Sequence, residues 1–370
     1  MSVLFIAPLP EPVTGHSLAC QIFFDELVRH RRVEVVDLNK KEIATGVSSV
    51  SRIFDVLSFV LAVFRKRKSC DLIYFTVSES YSGNLKDLLI YCACWPHLSR
   101  TIIHLHGGAG MRIIMQSGPR WLRSANEFFL KRLAGVIVLG PAHRDIFEGA
   151  VAKDRIYTVP NFAEEHVFAR SEAIDAKFAT TDPLEILFLS NFLPGKGHIE
   201  LLDAVARLND DDRLRVSISF AGRFQSADEE RDFLRRIERM PNVRYCGVVA
   251  GEEKRKLLAE AHVLCLPTYY AYEGQPIAIL EGYAAGCAVI TTNHSGIGDI
   301  FADGVNGYVV EERSADSLHG AIEKALRRPA DLFAFAKTNH AAALGKYRPG
   351  RYTADLLKIM DELQARSHER

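Results

Sequence analysis

Short runs of apolar and β-branched residues recur along the whole chain, each ending in small or polar residues. One series occupies positions 3–8, 33–38, 71–77, 101–107, 135–140 and 156–160. A second occupies 185–191, 216–222, 243–249, 262–268, 287–292 and 307–311. Most runs are apolar at nearly every position, the pattern of strands covered on both faces. Between them lie stretches with helical spacing, among them 198–208, 229–240, 252–260 and 277–285. Strand alternating with helix predicts parallel sheets of the doubly wound α/β kind. The polar segment 163–183 carries Glu164, Glu165, Asp175 and Asp182 and no good strand, so it reads as the connection between two such domains, with room for a short helix. The expected division is 1–163 and 164–349, with a C-terminal helix near 350–370 returning to the first domain. Open α/β sheets bind ligands at the carboxyl ends of their strands. The cleft expected between the two facing domains is therefore the default site.

The chain's 370 residues suit two domains. Lys+Arg and Asp+Glu both total 46, which argues against a dedicated nucleic-acid binder. Apolar residues make up 48%, too many for a disordered chain. Residues 1–165 carry 20 Lys+Arg against 16 Asp+Glu and the remainder 26 against 30, so the first half is the more basic. The seven cysteines are odd in number and mostly lie in apolar runs, as reduced core thiols of a cytoplasmic protein do. Cys92 and Cys94 have CxC spacing but no second ligand pair nearby, so no metal site is expected there. No secretory leader is expected, because the start, apolar at once, lacks a cationic leader and reaches Pro8 after six residues. No stretch approaches the roughly 20 apolar residues of a spanning helix. The longest, 53–64, contains Asp55 and Ser58.

Four segments carry candidate chemistry. Glu273-Gly-Gln-Pro-Ile-Ala-Ile-Leu-Glu281 places two carboxylates around the start of an apolar helix, with Pro276 suited to its first turn. The free amides of such a turn can hold a phosphate or a sugar oxygen. The plain alternative is a helix with an acidic entry favoured by its dipole. Ser190-Asn-Phe-Leu-Pro-Gly-Lys196-Gly-His198 follows a strand, and a glycine-flanked lysine there suits a phosphate or merely a turn. It lacks Walker spacing. Gly15, after the first strand, opens a helix beside His16 and allows close backbone approach to a pyrophosphate. His104 and His106 alternate onto one face of the fourth strand. His106, before Gly107, is the one expected to reach the site, and His104 reads as a core histidine satisfied by a backbone carbonyl.

Together these segments resemble the family-4 retaining glycosyltransferases of GT-B fold. Glu273 to Glu281 matches that family's E-x7-E signature, continuing as Glu281-Gly-Tyr-Ala-Ala-Gly-Cys-Ala-Val-Ile-Thr. Asp303-Gly-Val-Asn-Gly307 resembles its D-G-x-N-G loop, and Val159-Pro-Asn161 its hinge. The resemblance implies two Rossmann-like domains and a nucleotide-sugar donor, UDP- or GDP-linked. It implies that Lys196 neutralises the diphosphate, that Glu273 and the backbone of Gly274, Gln275, Pro276 and Ile277 hold the sugar and diphosphate, and that Glu281 holds the ribose. The strand end around Val248 would line the base pocket, Gly15 would approach the donor, and His106 would sit beside the reacting sugar. It implies work without a divalent metal, so Asp210-Asp-Asp212 reads as solvated turn aspartates. Two departures stand out: Asn191 where the family commonly has arginine, with Arg223 as the candidate substitute, and Gln275 where phenylalanine is frequent. A nucleotide-sugar epimerase of the same fold and a catalytically inactive nucleotide-sugar-binding subunit are the alternatives.

Acceptor recognition falls to the first domain, with His16, His106, Gly107 and Arg112 as its candidate residues. The acceptor expected is a lipid-linked saccharide at the inner face of a cell membrane. The helix 52–68 ends in Arg65-Lys-Arg-Lys68 and reads first as an ordinary buried helix with cations at its C-terminus. The competing reading is an interfacial helix drawn to anionic lipid. The segment 111–132 mixes Arg112, Arg120, Arg123, Lys131 and Arg132 with Ile113, Trp121 and Phe128, which suits a bilayer surface or an exposed loop equally.

Overall fold

Among the described residues, twelve strands form from the twelve apolar runs, in two six-stranded parallel sheets. The computed structural model describes residues 1–11, 13–39 and 49–368. The first sheet contains β1 (Ser2–Ala7), β2 (Arg32–Asp37), β3 (Leu72–Thr76), β4 (Thr101–His104), β5 (Gly135–Val138) and β6 (Ile156–Thr158), in the order β2-β1-β3-β4-β5-β6. The second contains β7 (Leu184–Leu189), β8 (Val216–Ala221), β9 (Val243–Tyr245), β10 (Val263–Leu266), β11 (Ala288–Thr291) and β12 (Gly307–Val309), in the order β12-β11-β10-β7-β8-β9. The helices of the first half are α1 (Gly15–His30), α2 (Ser49–Lys66), α3 (Tyr81–Ala93), α4 (Ala109–Arg112) and α5 (Arg120–Leu130). The second half has α6 (Ser171–Lys177), α7 (His198–Ala206), α8 (Asp210–Leu214), α9 (Ala227–Ile237), α10 (Gly251–Glu260), α11 (Ile277–Ala284), α12 (Ala315–Arg327) and α13 (Pro329–Lys346), and α14 (Pro349–His368) closes the chain.

The fold has two units, Met1–Asn161 with Gly350–Arg370, and Phe162–Pro349. In the first, β3, β4 and β5 are buried at every residue, as strands covered on both faces must be. The helix α14 belongs to this unit. Its Tyr352 is buried with the hydroxyl 3.5 Å from the Ala19 carbonyl, and Arg31 reaches Asp361 at 2.6 Å. In the second, the segment 163–183 is not a free connection. Ala163, Val167 and Ile174 are buried, and α6 forms within it.

Strands end one to four residues earlier than the apolar pattern predicts. The residues so released form the loops at the carboxyl ends, where ladder bonds run on briefly and then stop. Leu105 still donates to Ile137, and Cys246 to Phe220, before Gly247 turns out with φ +71°. Asp210, Asp211 and Asp212 are the first turn of the short helix α8, capped by Asn209, rather than a loose turn, with Asp210 and Asp211 exposed and Asp212 partly buried. Their charge there complements the helix dipole.

The helix α2 is the clearest departure from expectation. Val63 is buried, but Ile53, Phe54, Leu57, Leu61 and Phe64 are each about half exposed or more. The apolar stripe is present, and part of it has no neighbour among the described residues of this unit. The side chain of Arg52 lies outside the described residues. Of the basic cluster, Arg67 is buried, stacks on the Phe64 ring at 3.7 Å and bonds the Ala93 carbonyl. Lys66 bonds the Val35 carbonyl at 2.8 Å, which leaves Arg65 and Lys68 to solvent. No described helix is long and apolar enough to cross a membrane.

Candidate functional site

In the second sheet the chain runs outward from β7 to one side and from β10 to the other. Their carboxyl ends flank the topological switch point, where such sheets bind ligands. The loop after β7 carries Lys196 and the loop after β10 carries Glu273. The two side chains meet there, Lys196 Nζ lying 2.7 Å from Glu273 Oε2. Both are largely buried, at 12% and 9% side-chain exposure. The Thr268 hydroxyl donates to the same carboxylate at 2.9 Å, and Lys196 also lies 4.8 Å from the Tyr270 ring centre.

Backbone constraints fix this pair. Gly197 has φ +83°, and a Cβ there would sit 2.4 Å from the Pro267 carbonyl oxygen, so only glycine lets the two loops pass. The Ser295 hydroxyl donates to the Glu273 carbonyl at 2.6 Å, and Gly296 N–H donates to the Gly274 carbonyl at 3.1 Å. Pro276 occupies the N-cap of α11 rather than its first turn, and offers no side-chain cap. Of the leading amides of α11, Ile279 N–H donates to the Pro276 carbonyl at 3.2 Å, which leaves those of Ile277 and Ala278 without an intrahelical acceptor. Gln275, just before them, is buried.

Glu281 sits one turn along α11, and burial pushes its carboxyl up to about 7 against the pull of Lys254. Lys254, on α10, lies 2.7 Å from Glu281 Oε1 and also contacts Glu164. Burial draws the Lys254 ammonium down, but Glu281 and Glu164 outweigh it and hold it above the ordinary lysine value. Neither Lys254 nor Glu164 stands out in the sequence. Lys254 lies in the run Glu252-Glu-Lys-Arg-Lys256, which reads as a solvated helix face.

Asn191 and Arg223 are neighbours. The Arg223 backbone N–H donates to Asn191 Oδ1 at 3.3 Å, and the Arg223 side chain is exposed. Their loops are pinned by Phe192 stacked on Phe224, with ring centres 3.9 Å apart. Val248 is 57% exposed just past the end of β9.

The first unit holds the other candidates. Gly15 is the first residue of α1, whose N-terminus is fixed by a Thr14–Ser17 capping box. The His16 and His106 rings stack at 4.5 Å, and His104 lies 3.9 Å from His106. His104 Nδ1 contacts the Tyr74 hydroxyl at 2.7 Å, so its partner is a phenol and not a backbone carbonyl. Burial lowers His16 to about 4 and His104 to about 3, with smaller contributions from Lys86 and His16 respectively, so both are neutral at pH 7. Burial, then His104 and His16, holds His106 well below the usual range too. Gly107 and Gly108 wrap around Glu79, a residue the sequence did not single out. Its carboxylate accepts from Gly108 and Gly110 N–H at 2.8 and 3.0 Å, and a Cβ on Gly107 would collide with it. Arg112 is engaged within the unit, Nη2 lying 2.9 Å from Asp145 and 2.6 Å from the Ala142 carbonyl. Cys92 is exposed, Cys94 is buried, and all seven cysteines are free.

Residues 170–347 match the family described as glycosyl transferases group 1. The matched residues make up nearly all of the second unit, Phe162–Pro349. Lys196, Glu273 and Glu281 all fall inside the matched residues. A segment of 94 residues, 24% of this chain, is 31% identical to the amylovoran biosynthesis glycosyltransferase AmsK of Erwinia amylovora. The match spans only 23% of AmsK. Over 99% of its length the chain is similar to the crystal structure of Anabaena HepE in complex with UDP-glucose, with TM-score 0.72 and 17% identity, covering 100% of that chain. Sucrose-phosphate synthase from Thermosynechococcus elongatus gives TM-score 0.76 at 16% identity, covering 99% of each chain. At these identities the likeness establishes the fold, which is GT-B.

Proposed function

We propose that this protein is a retaining glycosyltransferase that moves a hexosyl group from a UDP- or GDP-sugar to a lipid-linked saccharide acceptor in the synthesis of a cell-surface polysaccharide. The observation that carries the reading is the Lys196–Glu273 pair at the switch point of the second sheet, beside the uncapped start of α11. A diphosphate placed there takes one cation and several amides, and departure of the leaving group builds negative charge where those groups already point. Glu273, with Gly274 to Ile277, takes the sugar hydroxyls and the diphosphate. Glu281 takes the ribose, Arg223 stands in for the cation missing at Asn191, and Val248 offers an apolar surface to the base. Gly15 approaches the donor, while His106, with His16, Gly107 and Arg112, faces the acceptor. Attack from the face that the leaving group departs needs no pair of glycosidase-type carboxylates. The names of AmsK and of the HepE complex with UDP-glucose support polysaccharide synthesis and a uridine donor.

The donor site works without a divalent metal in this reading. UDP or GDP at 100 times its Kd should stabilise the protein by about 2.7 kcal/mol, unchanged by EDTA. The thermal shift with UDP, GDP, ADP and TDP checks this. No shift with any of them, or a shift abolished by EDTA, overturns the donor site as drawn.

The acceptor end works on an anionic membrane face on the cytoplasmic side. Support comes from the exposed stripe of α2 and from its neighbour α3, which exposes Tyr81, Leu85 and Leu89. Beyond α3, Trp95 stacks on Phe128 at 5.4 Å and Arg132 caps the Phe128 ring at 3.8 Å, an amphipathic mixture suited to headgroups. A Phe54→Glu/Leu57→Glu double variant should fold normally, since both side chains are more than half exposed. It should lose co-sedimentation with phosphatidylglycerol vesicles by at least about tenfold, because each buried large apolar side chain is worth about 1.5–3 kcal/mol. Undiminished sedimentation would remove the membrane from the proposal.

A further inference from the structure

We propose that His16, Cys20 and His106 form a binding site for a transition-metal dication of the zinc or cobalt type. One ligand atom from each of the three residues lies within 4.8 Å of the others. A metal with bonds of about 2.0–2.3 Å holds its ligand atoms up to about 4 Å apart, so closure needs shifts of about 1 Å or less. His16 and Cys20 are four residues apart on α1 and share one of its faces. The capped start of that helix holds them in place. His106 comes from the loop just past β4.

A second, independent observation points to a ligand. His16 Nε2 and both ring nitrogens of His106 are buried with no hydrogen-bond partner. Buried polar atoms are normally satisfied, and an exception calls for a missing partner. Lone pairs converging beside a thiol supply one. A thiolate with two imidazoles selects zinc, cobalt or copper over magnesium or calcium, which prefer oxygen ligands. On binding, the Cys20 thiol loses its proton to solvent, its sulfur bonds the metal, and His16 and His106 each give a lone pair. Three protein ligands leave a fourth position for water or a hydroxyl group. His104 packs behind His106, held by the Tyr74 hydroxyl, and fixes the ring from the rear. Because His16 and His106 are also the acceptor-facing residues, an occupied site competes with transfer. That consequence alone rests on the proposed function.

The test is titration of the metal-free full chain with Co²⁺. The expected result is a thiolate-to-cobalt charge-transfer band and tetrahedral d–d bands that saturate at one Co²⁺ per chain and vanish on adding Zn²⁺. Cys20→Ala should abolish the charge-transfer band. It should also weaken Zn²⁺ binding by more than the roughly 10–100-fold that losing an outer-shell partner costs. Cys287→Ala, which removes a buried thiol of the second unit, should keep the band. Should Cys20→Ala fail to fold by circular dichroism, His16→Gln gives the second reading, with its thiol intact and binding weakened. No charge-transfer band in the wild type, or a band retained in folded Cys20→Ala, overturns the site. In a transfer assay, inhibition by Zn²⁺ should disappear in Cys20→Ala with basal turnover kept. Absence of transfer in every chain would count against the proposed function and leave the cobalt result standing.

Discussion

Glu273→Gln is expected to lower sugar-transfer turnover by about 10²–10³-fold, the usual cost of removing one group that stabilises transition-state charge. The substitution keeps the side-chain volume and the Thr268 contact while removing the charge that Lys196 faces at 2.7 Å. Glu273→Ala should abolish turnover, but it is the less clean test. It strands a lysine only 12% exposed, and breaking a buried pair costs about 3–5 kcal/mol. Lys196→Met should be as damaging to kcat as Glu273→Gln. The double variant should be little worse than either, because residues acting as one unit are not additive. Circular dichroism and melting of the Gln variant separate lost chemistry from lost fold. Wild-type turnover in Glu273→Gln, or fully additive effects of the two substitutions, would show that the pair is not the donor site.

The strands were legible because strands buried on both faces leave unbroken apolar runs, and each of the twelve runs overlaps one. Their carboxyl ends were not, since apolar residues such as Leu105 continue past the last ladder pair. That error falls on the loops that carry function. Individual site residues were legible through local motifs: a lysine between glycines, a carboxylate before a proline. Their meeting was not, because Lys196 and Glu273 are 77 positions apart and only the adjacency of β7 and β10 unites them. Lys254 shows the opposite failure. Nothing local separates it from Lys256, which is mostly exposed, whereas Lys254 is 12% exposed between two carboxylates. The periodicity of α2 was equally plain, but periodicity tells which residues share a face and not what covers that face.

Lys254→Met should destabilise the second unit by about 3–5 kcal/mol, because it leaves Glu281 and Glu164 together with no cation between them. For a domain of this size each kcal/mol lowers the melting temperature by roughly 2–4 °C. The pH dependence distinguishes this network from simple packing. Burial raises Glu281 to about 7 in the folded protein, whereas an unfolded carboxylate titrates near about 4.3. Between those values the folded state holds a proton that the unfolded state has lost. Wild-type stability from this group is therefore full below about 4.3, falls as pH rises towards 7, and is flat beyond. Removing the Lys254 cation lifts Glu281 further, since a buried glutamate without a partner reaches about 8–9. The fall then continues above neutrality, and the gap between variant and wild type widens from pH 7 upward. Glu281→Gln has no such proton to lose and should flatten the slope below pH 7. Melting temperatures of the three proteins across that range decide the matter. Parallel curves for wild type and Lys254→Met would mean that the lysine does not govern the charge of Glu281, and the ribose-holding role proposed for that carboxylate would lose its electrostatic basis.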